Sequence, residues 1–229
     1  MKKIMFNERY GLQQAVLDRR KTMTRRVVKC PKKFKGVEDV ELEFHRRLYL
    51  ETYRNCVVVD ADGHELGQLP LPYEIGDVVA IGQRYESLLC EYGLPRQTCD
   101  SGNLNYDGLP DAYRNQMVVR AMINSKGYRN KMYVKSYLMP HHIRITDLWF
   151  ERLQDISEED CLKEGITTIT EGKREIGNGY GWDIHADALE RDTFFTPRQA
   201  FAALIDMVSD KGTWDENPWV VAYTFELID

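Results

Sequence analysis

The feature that most restricts the fold is a change of hydrophobic period near the N-terminus. Over residues 8–19, ERYGLQQAVLDR, Tyr10, Leu12, Ala15, Val16 and Arg19 recur at helical spacings, which predicts a short amphipathic helix. Immediately afterwards Thr22, Thr24 and Arg26 alternate with Met23, Arg25 and Val27, a period-2 pattern that ends before Pro31. A chain that switches period this early commits to mixed elements. The rest keeps to that pattern. Short strands are predicted in 38–70, where Asp62-Gly63 marks a hairpin turn, and in 71–85, LPYEIGDVVAIGQRY. Further strands are predicted for VVRAMI (118–123), KMYVKSYL (131–138), HHIRITDLWFERLQ (141–154) and the closing NPWVVAYTFELI. Two more helices have clear start signals. Ser157 caps DISEEDCLKEGI, which Gly165 ends, and Thr196-Pro197 opens TPRQAFAALIDMVS. Segments 87–115 and 166–195 are rich in Gly, Asn and Asp and read as insertions, the second of them as a lid carrying GNGYGW. The predicted fold is α+β, a single domain over 1–229 built on a small, mostly antiparallel β-barrel with two or three bracketing helices.

Charge is informative through its distribution. The net charge is -5, yet residues 19–37 carry nine Lys/Arg and no acid, and residues 112–146 carry seven and again none. The remaining 15 bases face 36 acids, so an acidic chain presents two locally positive stretches. In the second stretch Tyr113, Tyr128, Tyr133 and Tyr137 are interleaved with the cations. Phosphate-seeking charge with stacking aromatics is the composition of a single-strand nucleic-acid groove, and the competing explanation is a set of solvated strand faces. The candidate phosphate-binding residues are Arg20, Arg25, Arg26, Arg129, Lys131, Lys135 and Arg144.

Several classes are disfavoured. No apolar run approaches the roughly 18 residues of a membrane span, and no membrane partner is expected. MKKIMFNERYGLQQ has only a short apolar patch before charges return, unlike a secretory leader. The five cysteines, at 30, 56, 90, 99 and 161, include no CxxC pair, and the expectation is reduced thiols in a cytoplasmic protein. Neither His141-His142 nor Cys90 with Cys99 has metal-ligand spacing, so no metal and no cofactor is expected. Trp214 and Trp219 read as core residues, with base stacking as the other reading.

The chemistry-bearing candidates are Lys21, Thr24 and Glu164. A threonine hydroxyl attacks a carbonyl only when a base removes its proton, and a lysine is such a base only when burial or nearby cations lower its pKa. Arg20, Arg25 and Arg26 supply cations next to Lys21. Glu164 ends a helix, where an acid is electrostatically out of place, and a carboxylate there can orient a lysine or carry protons.

Together RRKTMTRR (19–26), EIGDVVAIG, IRITDLWFERLQDISEEDCLKEGI and the closing NPWVVAYTFELI resemble the ASCH domain of the PUA-like superfamily, in a phage-associated branch with enlarged loops. The family hallmark resembles G-x-K-x-x-T-x-R. Lys21, Thr24 and Arg26 match it, and Arg19 replaces the glycine. The resemblance implies a small barrel with a cleft and a role in RNA or nucleotide biology. Some compact bacterial members are N4-acetylcytidine amidohydrolases. Carried over, Lys21 is the base, Thr24 attacks the acetyl carbonyl, Glu164 relays the proton to the departing amine, and Arg26 holds an oxygen. The function expected first, from the basic stretches and the resemblance together, is binding of RNA or a modified nucleotide in a basic cleft, and the amidohydrolase is the alternative.

Overall fold

A computed structural model describes residues 1–46, 52–91, 113, 115–169, 179–182 and 193–228. In chain order the elements are β1 (Lys3–Ile4), α1 (Leu12–Leu17), β2 (Met23–Val27), β3 (Lys33–Phe34), β4 (Val37–Glu38), β5 (Glu41–Arg46), β6 (Tyr53–Val59), β7 (Glu65–Gln68) and β8 (Val78–Ile81). They continue with α2 (Tyr85–Glu91), α3 (Gln116–Ile123), β9 (His142–Arg152), α4 (Glu158–Lys163), β10 (Thr167–Ile169) and β11 (Gly179–Gly181). The chain closes with α5 (Pro197–Val208), α6 (Thr213–Glu216) and β12 (Trp219–Leu227). No helix among the described residues is long and apolar enough to cross a membrane.

The chain divides into two compact units. The first comprises Met1–Phe6, Val78–Ile143 and Leu227–Asp229, the second Asn7–Asp77 and Arg144–Glu226. In the first unit β1 and β8 pair in parallel, Lys3 opposite Ala80 and Ile4 opposite Ile81. Its core joins Tyr85, Leu88 and Leu89 of α2 to Tyr113, Val119, Met122 and Leu138. Two strand expectations fail here. VVRAMI lies in α3, because Asn115 caps it by accepting the Met117 amide at 2.9 Å, and Val119 and Met122, three apart, share the buried face. KMYVKSYL forms short 3₁₀ turns at Lys131–Tyr133 and Ser136–Leu138. Asn130 opens the first of them by accepting the Met132 amide at 2.9 Å. Helix α2 also occupies the start of the expected insertion 87–115. Residues 92–112 and 114 of that insertion, and 170–178 and 183–192 of the other, lie outside the described residues.

The second unit holds a mostly antiparallel sheet. β2 pairs with β12 in the register Arg25 opposite Ala222 and Thr24 opposite Tyr223, and β12 neighbours β9. β6 meets β9 at Tyr53 opposite Phe150 and is flanked by β5 and β7. The β6–β7 hairpin turns at Asp62-Gly63 as predicted, with Gly63 at φ 82°. Among the described strands no pairing joins β2 to β5 or β7, so this sheet is open, and a closed barrel is not formed by them. The fold is α+β with a mostly antiparallel, multi-stranded sheet. Both predicted helix starts are realised. The Ser157 hydroxyl accepts the Asp160 amide at 3.1 Å, and the Thr196 hydroxyl accepts that of Gln199, also at 3.1 Å, with Pro197 in the first turn.

Candidate functional site

Two helix ends with the same construction assemble the site. α1 ends at Asp18, and Arg19 then takes a left-handed conformation at φ 60°. The Arg19 amide bonds the Val16 carbonyl at 2.9 Å, and those of Arg20 and Lys21 both reach the Ala15 carbonyl, at 2.9 and 2.8 Å. This is the paired-bond termination that usually takes glycine at the left-handed position. Arg19 therefore occupies a conformation usually left to glycine, at a cost of about 1–2 kcal/mol. α4 ends in the same way. Glu164 is its cap, Gly165 has φ 103°, and the amides of Gly165 and Ile166 return to Leu162 and Cys161 at 3.0 and 3.3 Å.

The entry to β2 lies along the end of α4, where the Thr22 amide bonds the Lys163 carbonyl at 2.9 Å. That contact carries Lys21 to Glu164. Lys21 Nζ donates to the Glu164 carbonyl and to its Oε2, both at 2.6 Å, and the lysine side chain is 2% exposed. A carbonyl left unpaired by the helix end thus receives a cation, which also offsets the misplaced acid. A β-carbon at Gly165 would lie 3.3 Å from Leu12 Cδ2 and 3.6 Å from Lys21 Cδ.

Arg25, two positions into the strand's buried face, extends the cluster. Its Nε donates to Glu151 Oε1 at 2.6 Å, Nη1 to Glu164 Oε1 at 3.1 Å and Nη2 to Asp160 Oδ2 at 3.2 Å. Trp149 Nε1 donates to Glu151 Oε2 at 2.8 Å and Lys163 Nζ to Asp160 Oδ1 at 3.0 Å. Every oxygen of the three carboxylates therefore has a donor. Three cations face three anions, which is the condition under which a buried charge network repays its desolvation.

The electrostatics separate the two central cations. Burial pushes the Lys21 amine below its ordinary pKa, opposed by Glu164 and assisted by Arg26 and Arg25. Burial also works against the charge of Arg25, but Glu164, Glu151 and Asp160 outweigh it and hold its pKa above the usual value. Burial thus loosens the Lys21 proton, whereas the three carboxylates tighten that of Arg25. Cys161, beneath the cluster, is pushed up to about 12 by burial and stays a thiol at neutral pH.

The structure thus brings Lys21 and Glu164 together. Thr24 is buried on β2 opposite Tyr223, on the strand face opposite Arg25, and its hydroxyl takes no part in the network above. Arg26 shares the Thr24 face and is half-buried. The remaining basic candidates are dispersed. Arg20 is exposed and pairs with Asp18 at 3.0 Å, and Arg144 is exposed and pairs with Glu226 at 3.1 Å. In the first unit Arg129 is exposed, Lys131 donates to the Phe6 carbonyl, and Lys135 lies 5.7 Å from the Tyr137 ring centre. Lys126, which the sequence did not single out, pairs likewise with Tyr133 at 5.5 Å. Of the four interleaved tyrosines, Tyr133 and Tyr137 are exposed, whereas Tyr113 and Tyr128 belong to the core. Tyr85 is also buried and accepts the Lys135 amide through its hydroxyl at 2.8 Å.

Trp219 stacks on Phe44 at 3.9 Å, and Trp214 meets Phe201 edge-on at 6.2 Å, so both pack within the fold. Asp60, Asp62 and His64 form the one grouping among the described residues with potential metal-ligating atoms within 4.8 Å of one another. Asp60 Oδ1 already accepts the amides of Asp62 and His64 at 3.0 and 2.9 Å, which accounts for it as a turn. No protein-family model, curated protein or solved structure matches the chain.

Proposed function

We propose that this chain is a nucleotide-handling domain of the ASCH type and that its chemistry is hydrolysis of an amide on an acylated nucleoside such as N4-acetylcytidine. The sheet β2–β12–β9–β6 is taken, on this reading, as the wall of a PUA-like barrel. The observation that carries the proposal is the buried contact of Lys21 Nζ with Glu164 Oε2 at 2.6 Å. A lysine whose pKa is lowered by burial, bonded to a carboxylate, is a proton-transfer couple, and the Glu164 carboxylate already engaging its charge makes it a poor grip for phosphate. Arg25 has a positioning role, holding the Glu164 carboxylate from its other oxygen.

In this mechanism Lys21 first passes a proton to Glu164 across their hydrogen bond, and the neutral amine then takes the Thr24 hydroxyl proton as Oγ1 bonds to the acyl carbon. Glu164 delivers a proton to the exocyclic nitrogen as the C–N bond breaks, and cytidine leaves. Water then attacks the threonyl ester, giving acetate and restoring Thr24. The test is incubation of the purified protein with N4-acetylcytidine and assay of cytidine and acetate. Turnover that is lost in Lys21→Met and Thr24→Ala is the expected result. Turnover that survives both variants overturns the residue assignment, and no turnover by the folded protein overturns the reaction.

A second reading, RNA binding without catalysis, is favoured by one separate observation. Two exposed tyrosines in the first unit, Tyr133 and Tyr137, each have a lysine beside the ring, a sequence-tolerant arrangement for unpaired bases. It predicts single-strand RNA binding that weakens as salt rises.

A further inference from the structure

The second unit contains a polar cavity that the chemistry above does not use. β5 and β6 form a hairpin whose register shifts between His45 and Arg46. Such irregularities re-aim a side chain, and here the Arg46 guanidinium lies over the Tyr53 ring, 4.7 Å from its centre. Beside it is a cavity of about 470 Å³ whose lining includes His45, Arg46, Asn55, Cys56, Gln68 and Phe150. Phe150 and Cys56, each 2% exposed, back it from the core. The Cys56 thiol, pushed up to about 12 by burial, is neither charged nor nucleophilic at neutral pH.

The polar groups around this cavity are unequally engaged. Arg54, which also lines the cavity, donates to Asp147 and, at 2.6 Å, to the Leu148 carbonyl. His45 lies 3.6 Å from a Glu43 carboxylate oxygen. Arg46 has no carboxylate partner among the described residues, and the carboxamides of Asn55 and Gln68 hydrogen-bond no other described group. Two carboxamides offer donor and acceptor side by side, the complement of a nucleobase edge. The Arg46 guanidinium, without a carboxylate partner among the described residues, matches one phosphate, not a polyphosphate chain. The volume falls in the range of small-molecule sites, about 300–1,000 Å³, and so fits one nucleotide and not a strand.

We propose that this cavity is a second ligand site that takes one nucleoside monophosphate. The base is read by Asn55 and Gln68, and the phosphate is held by Arg46. The assignment does not rest on the Lys21–Glu164 chemistry, and its test needs no turnover.

The experiment is calorimetric titration of the full chain with CMP, UMP, AMP and GMP separately, at low salt. At least one is expected to bind with a Kd of about 100 μM or tighter. Arg46→Ala should weaken every nucleotide that binds by about tenfold or more, without changing the thermal midpoint, because Arg46 is exposed. Asn55→Ala and Gln68→Ala should instead alter the ranking of the four bases. The proposal is overturned if none binds at millimolar concentration, if Arg46→Ala leaves affinity unchanged, or if inorganic phosphate competes as well as the nucleotide. An unchanged ranking in both carboxamide variants overturns the base-reading part. Hydrolysis of N4-acetylcytidine is a separate readout, so either reading can fail while the other stands.

Discussion

In the stretch 19–37, Lys21 and Arg25 are carried into the protein and matched there by Glu151, Asp160 and Glu164. In the stretch 112–146 the described cations stay outside or at the surface, where Lys126 and Lys135 lie beside exposed tyrosines, Lys131 donates to a backbone carbonyl and Arg129 is exposed. Both stretches are acid-free and basic in sequence. The difference arises from what packs on them. β2 lies along the end of α4, a helix headed by Glu158, Glu159 and Asp160, so its cations meet carboxylates whose hydration is already partly removed. The turns at 126–138 offer tyrosine rings and backbone oxygens. Basic composition therefore does not identify a nucleic-acid face, because the same composition serves a buried charge network and an exposed one.

Glu164→Gln is the strongest way to break the comparison. It preserves shape but removes the charge shared by Lys21 and Arg25, leaving buried cations undercompensated. The expected loss is about 3–5 kcal/mol, read as a lower urea midpoint at unchanged slope. Lys135→Ala, its counterpart in the other stretch, should change stability by less than about 0.5 kcal/mol. Equal effects would mean that burial does not distinguish the two sets of cations.

Alkaline titration tests the buried surroundings of the first stretch. Cys161 and Cys56 have folded pKa values raised from 9.0 to about 12, so the stability they contribute is complete below pH 9 and is lost as pH rises from 9 to about 12. Lys21 acts in the opposite sense. Its lowered pKa makes stability rise with pH between that value and 10.5, the ordinary lysine value. Two thiols outweigh one amine, and at pH 10 each thiol removes about 1 kcal/mol. Cys161→Ala should flatten the alkaline limb of a plot of stability against pH, and an unaltered limb would contradict the assignment.

The two helix ends give a smaller and signed contrast. Gly165→Ala forces a β-carbon into a left-handed position and towards Leu12, and should cost about 1–2 kcal/mol. Arg19→Gly releases the same strain at the other end but adds unfolded-state entropy of about 0.5–1 kcal/mol, so a gain of a few tenths is expected. Thermal unfolding of both variants checks the signs.

Legibility in the sequence followed the range of the interactions. α4 and α5 were visible because Ser157 and Thr196-Pro197 act within one turn, and β9 and β12 because their hydrophobic alternation is local. Residues 118–123 were misread as a strand because Val118 and Val119 favour strands, while the deciding Asn115 cap lies just outside the apolar run. Asn130 was overlooked in the same way. At the site, Lys21 and Glu164 were singled out in advance, on the misplaced acid and the resemblance together. Glu151 was not, nor Asp160 except as a capping residue. Their carboxylates meet Arg25 across 126 and 135 residues of chain, and only the packing of β9 and α4 on β2 selects them.

The smallest expected effect sharpens the comparison from the exposed side. If Lys126 and Lys135 serve unpaired RNA, then Lys126→Ala and Lys135→Ala should each leave the thermal midpoint in place and reduce the salt dependence of binding by about one phosphate contact, a slope change of about 0.7 for a single strand. Tyr133→Ala and Tyr137→Ala should instead weaken binding by about 1–3 kcal/mol per stacked base, with the salt slope preserved. The two pairs of substitutions separate charge from stacking within the same short turns. A salt slope that no lysine variant alters would mean that these side chains are merely solvated, and that the second basic stretch is no more a binding face than the first.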